Sequence, residues 1–134
     1  MRILLGAAAA AASFSTISAS VVPDDFQIQL LTRSIAYRAC VAAYAYTHAG
    51  PGASPTEIAS AADFRCSKQF EEFRNFYQAN VIDNFPIDES SEKKKNLTLH
   101  AKSYLQGQMN QTLKIVQDAA KSEAAAIVID VRNK

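Results

Sequence analysis

The sequence predicts an all-α domain: a disulfide-stapled antiparallel helical hairpin plus one long or two shorter C-terminal helices, a three- or four-helix bundle. Three observations predict it. Apolar residues recur at steps of three and four through most of the chain after Asp24, which is the period of a helix face. Caps and breakers stand at the ends of those periodic stretches, above all Gly50-Pro51-Gly52 and Ser54-Pro55-Thr56-Glu57. Cys40 and Cys66 lie at similar distances on either side of that turn, so an antiparallel hairpin brings the two thiols to the same level.

The first helix is expected to begin at Asp24, whose spacing to Gln27 is that of a capping box, and to run to about Ala49. Ile28, Leu31, Ile35, Ala39, Ala42 and Tyr46 fall on one face, which is taken as the buried one. Tyr37, Val41, Tyr44 and His48 form a second stripe beside it. The second helix starts with Ser54 as N-cap, Pro55 at the first helical position and Glu57 able to bond back to the cap. Ile58, Ala62, Cys66, Phe70, Phe73 and Tyr77 carry its apolar face to about Val81. The hairpin register makes Tyr37 a neighbour of Phe70 and brings Arg33 near Glu71 or Glu72. Arg38 must find its partner on another helix or in water, because no acid occurs between Phe26 and Thr56.

Asp88 to Glu92 supplies caps and first-turn acids for a third helix. From Leu97 to Val131 apolar or small residues continue at helical steps, but one helix from Ser91 to Arg132 would exceed about 60 Å. Gly107 to Gln111 is therefore the expected site of a break. The run Ala126 to Val131 is rich in β-branched residues, yet no partner strand accompanies it.

Residues 1–20 read as a signal peptide: Met1-Arg2, an apolar run from Ile3 to Ala12, and a small-x-small end at Ser18-Ala19-Ser20. The competing reading joins Ile3 to Val22 into one membrane-spanning stretch, so contact with a membrane is expected only if this leader is uncleaved. Cleavage leaves residues 21–134 as a single helical domain, periplasmic or secreted. It also removes Arg2, taking the formal charge from +1 to zero. That balance gives no net attraction to phosphate and argues against nucleic acid as a partner. Lys93-Lys94-Lys95 follows Glu89 and Glu92 and reads as a solvated helix face.

In an oxidising compartment two cysteines most simply form one bridge. Closing a loop of roughly 26 residues between Cys40 and Cys66 stabilises the fold by about 3 kcal/mol in the chain-entropy picture. There is no C-x-x-C, and a zinc site would need both cysteines together with His48 and His100, so no metal and no cofactor is expected. Neither histidine lies in a nucleophile context, and the acid pairs Asp24-Asp25, Glu71-Glu72 and Asp88-Glu89 point apart on a helix. No catalytic residue is assigned, and the chain is not expected to be an enzyme.

The run Ala39 to Tyr44, with Cys40, Val41 and Tyr44, and the run Glu57 to Cys66 together resemble small exported bacterial helical proteins of uncharacterised function. Those proteins carry a C-V-x-x-Y helix followed by an E-I-A-x-A-A-x-x-x-C helix. The resemblance covers about 40 residues and implies an exported, disulfide-bonded hairpin; it carries over no active-site residue. The expected function is therefore a non-catalytic interaction or structural module of the bacterial cell envelope, working through an exposed apolar helix face with an unknown protein partner or by self-association. Such a face is expected on the C-terminal Ala- and Ile-rich segment. The alternative is a small-ligand carrier with an aromatic-lined pocket between the first two helices at Tyr37, Tyr44 and Phe70.

Overall fold

The computed structural model describes residues 24–134. The expected signal peptide lies outside these residues. Four α-helices make up most of the described chain: α1 (Asp25–Thr47), α2 (Pro55–Arg65), α3 (Ser67–Tyr77) and α4 (Glu92–Arg132). A π-helical turn, Gln78–Ile82, follows α3. Among the described residues there is no strand, and the run 126–131 is helical.

The local caps act as the sequence predicts. Asp24 accepts the Gln27 N–H at 2.8 Å. Ser54 and Glu57 form a reciprocal capping box, with Pro55 in the first turn. Between these helices the chain turns through Gly52, whose φ of 128° is open to glycine and strained for any other residue.

Cys40 and Cys66 are disulfide-bonded, with a Cα–Cα distance of 6.0 Å. The Tyr37 and Phe70 rings meet at 5.1 Å, as the hairpin register requires. Arg33 lies near Glu72, as the register expects, but its charge is engaged elsewhere. It lines one hollow with Glu72 and places its guanidinium 4.2 Å over the Phe76 ring, while Glu71 pairs with Arg74. Arg38 finds Glu123 on α4.

Two expectations about continuity are corrected. The second helix is not unbroken to Val81: it is interrupted at Cys66, which lies between α2 and α3 with φ −96° and ψ 17°. Hydrogen bonding nevertheless runs through the joint, since the Cys66 N–H donates to Ala62 O and the Phe70 N–H to Cys66 O. No Gly or Pro marks the joint; it coincides with the disulfide-bonded residue. Conversely, no break occurs near Gly107, and α4 runs as a single helix of 41 residues. A glycine costs a helix interior only about 1 kcal/mol.

α4 lies parallel to α1 and antiparallel to the α2–α3 limb. The parallel register is tied at two levels, in the middle of α1 by the Arg38–Glu123 pair and past its C-terminal end by Arg132, whose Nε donates to Ala49 O at 3.1 Å and whose Nη2 donates to Gly50 O at 2.7 Å. One core cluster joins Tyr37, Val41 and Ala45 of α1 to Ile58, Ala59 and Ala62 of α2 and to Ala120, Ala124 and Val128 of α4. The many alanines let the three helices approach closely. A second cluster of larger side chains, Phe73, Ile82, Met109 and Leu113, closes the other end.

Candidate interaction surface

Helix α1 carries two apolar stripes on nearly opposite sides, and the structure buries the one that was expected to be secondary. Tyr37, Val41 and Ala45 are fully enclosed. Ile28, Leu31 and Ile35, taken from the sequence as core, are 52%, 60% and 52% exposed, and Tyr46 is 69% exposed. The expected buried face of the first helix is thus its outer face.

The rotation is set by contacts that only the folded chain brings together. Cys40 must reach Cys66. Tyr37, fully buried, donates its hydroxyl to Asp63 Oδ1 at 2.5 Å, and Gln117 of α4 donates from Nε2 to both Asp63 oxygens at 3.0 Å. Burial, reinforced by the hydrogen bond to Asp63, pushes the Tyr37 phenol well above its ordinary pKa. Turning α1 by half a turn would carry the Tyr37 phenol away from Asp63 and Cys40 away from Cys66, and these two contacts offset the exposure of three aliphatic side chains.

Sequence reasoning missed Asp63, Gln117 and Arg132. The only local signal was an acid embedded in the apolar run Ala59 to Phe64; partners 54 and 83 residues away leave none.

The exposed strip was expected on the C-terminal segment, and there the expectation is corrected as well. Ala120, Ala124 and Val128 are core, because that segment fills the groove between α1 and α2. The outer stripe of α1 holds Ile28, Leu31, Ile35, Ala39, Ala42 and Tyr46, none of them charged. Two hollows flank it. One, of about 260 Å3, lies over Ile35, Ala39 and Ala42 and is bordered by the Arg38–Glu123 pair. The other, of about 230 Å3 and almost wholly apolar, opens between Leu30, Leu31, Phe73 and Val116.

Of the three residues expected to line a ligand pocket, Tyr37 and Phe70 pack against each other in the core, and Tyr44 lies apart from them. Tyr44 stacks on His48 at 3.9 Å and lines a hollow of about 400 Å3 with Thr47, Glu57 and Ile58, in which neither Tyr37 nor Phe70 takes part. His48 Nδ1 lies 2.9 Å from Tyr44 O at the end of α1, and His100 is exposed on α4. Among the described residues no three His, Cys, Asp or Glu side chains gather as a metal site would require. No helix there is long and apolar enough to cross a membrane. No protein-family model, curated protein or solved structure matches the chain.

Proposed function

We propose that this protein is a non-catalytic helical module of the bacterial cell envelope, exported through its N-terminal leader and acting by helix-to-helix association. The observation that carries the reading is the outer face of α1. A solvent-facing helix of a soluble domain normally presents charge there. This one presents none from Ile28 to Tyr46 along the stripe, at the spacing of a buried seam. An apolar helix face of that kind is the substrate of groove or helix docking. The disulfide fits an oxidising compartment, and the resemblance of the hairpin to small exported bacterial proteins points the same way.

The test of export is the intact mass of the protein from its native cells, with and without reductant. The proposal expects residues 21–134 with both thiols oxidised; a full-length chain with two free thiols would overturn it. The test of association is a photo-crosslinking phenylalanine in place of Tyr46 in those cells, which should give a discrete protein adduct. Absence of any adduct there refutes the association reading.

One hollow supports a second reading, a small-ligand carrier. Its aromatic wall is Tyr44 with His48, and its floor is Ile58. Native mass spectrometry of protein recovered under mild conditions should then reveal a bound small molecule that Tyr44→Ala loses.

A further inference from the structure

We infer that the hollow between Arg33 of α1 and one side of α3 binds a small zwitterion of the free amino-acid class, its carboxylate on Arg33 and its ammonium on Glu72. The hollow shares no lining residue with those at the α1 outer face or at Tyr44, so the inference depends on neither reading above.

The hairpin register brings Arg33 to the level of Glu71 and Glu72, and the two acids divide. Glu71 turns to Arg74 at 2.9 Å on its own helix, while Glu72 lines the hollow with Arg33. The guanidinium is held in place from within the fold. Its carbon lies 4.2 Å over the Phe76 ring, and that ring stacks in turn on Phe26 at 5.6 Å. Nη1 donates to Gln29 O at 3.3 Å and to Gln29 Oε1 at 3.0 Å. Among the described residues nothing accepts from Nε or Nη2. No carboxylate of the chain pairs with Arg33, since no described one does and residues 1–23 contain neither Asp nor Glu. A half-buried guanidinium stacked on a ring and left with an open edge is suited to a carboxylate, which two parallel N–H groups can hold.

Charge then selects the ligand. Glu72 has no cationic partner among the described residues, although it lines the same hollow as Arg33. A simple anion is drawn by Arg33 and repelled by Glu72, and a simple cation meets the reverse. A molecule that carries both signs gains from both. The hollow, of about 430 Å3, lies in the size range of small-molecule sites. Its remaining walls are polar or small. Asn75 has no side-chain partner among the described residues, Asn80 donates from Nδ2 to Phe76 O at 2.8 Å and keeps its Oδ1 as an acceptor, and Ala79 leaves room between them. Ala79 and Asn80 belong to the π-helical turn, a conformation that recurs at functional sites.

The experiment is a titration of the isotope-labelled, disulfide-bonded protein followed by nuclear magnetic resonance, with L-serine as the probe. L-Serine should shift the side-chain amides of Asn75 and Asn80 and the backbone amide of Ala79, saturating on the order of millimolar concentration as suits so small a ligand. N-acetyl-L-serine keeps the carboxylate without the cation, and L-serinamide keeps the cation without the carboxylate. Each should bind at least about tenfold more weakly. Arg33→Gln and Glu72→Gln should each weaken L-serine to a similar degree, whereas Lys114→Gln, an exposed cation of α4, should leave binding unchanged. The two serine analogues test the same charges on the unaltered protein, independently of how the variants fold.

Absence of a saturable shift up to about 100 mM L-serine overturns the inference. So does either analogue binding as tightly as L-serine, which would report a site for a single charge. Binding that survives both Arg33→Gln and Glu72→Gln overturns it as well, because the ligand then sits elsewhere.

Discussion

The two halves of α4 have the same secondary structure and opposite reasons for it. From Met109 to Val128 five residues are buried, and they fill the space between α1 and the second limb. From Glu92 to Gln108 none is buried, although the helix continues for about 25 Å. The first half is held by its cap, Ser91 accepting the Lys94 N–H, and by a row of half-buried residues, Lys95, Thr98, Lys102 and Leu105, on one side. The connection from Ile82 runs back along that half. Ile82 shares a cluster with Met109, so nine residues must span the length of the exposed half, and Phe85 and Ile87 are the half-buried ones among them. Helical propensity writes both halves; tertiary packing secures only the second.

The comparison can be broken by truncation on each side. Met109→Ala should cost about 3 kcal/mol in equilibrium urea denaturation, the usual range for emptying a core methionine. Leu97→Ala should cost less than about 0.5 kcal/mol, because Leu97 is 61% exposed. Similar costs at the two positions would mean that the first half is as tightly packed as the second.

Gln117, in the packed half, also anchors the polar contact at Tyr37. Tyr37→Phe removes the hydroxyl but leaves Gln117 on Asp63, so a loss of about 1 kcal/mol is expected in the same assay. The variant also carries a pH signature. The folded pKa of Tyr37 is raised, so the unfolded phenol ionises first, at about pH 10. The folded state then holds the extra proton, and stability is lost as pH rises above that value. Wild type should destabilise more steeply than Tyr37→Phe between about pH 10 and 11; parallel curves would count against an enclosed phenol.

Gly107 stands at the boundary of the two halves. A Cβ there meets nothing within 4 Å, so Gly107→Ala should stabilise the protein by about 1 kcal/mol, read as a rise in melting temperature. A destabilisation would show that the glycine has a conformational role. Least in global effect is Ser91→Ala. Loss of this cap should speed amide exchange through the first turns of α4 severalfold and leave exchange from Leu113 to Val128 unchanged.

Much of the fold was legible in short-range signals. Asp24, Ser54 and Glu57 announce helix starts through bonds that span three residues, and Gly52 marks the turn through a backbone conformation that needs no tertiary support. From those boundaries the hairpin register followed, and with it the meeting of Cys40 with Cys66 and of Tyr37 with Phe70. The candidate surface was legible only as a pattern. The residues at 28, 31, 35, 39, 42 and 46 were recognisable as a seam, but their side of the molecule was not, since α1 has a second apolar stripe of equal regularity.

By itself, then, the sequence determined the helical elements, their caps, the turn and the disulfide pairing, because each depends on neighbours in the chain or on a short loop. Only the tertiary structure decided the rotation of α1, the continuity of α4 through Gly107 and the joint at Cys66. The rotation of α1 is set by Asp63, Gln117, Glu123 and Arg132 acting across separations of 26 to 85 residues, and by the filling of a shared core, to which no local window of sequence has access.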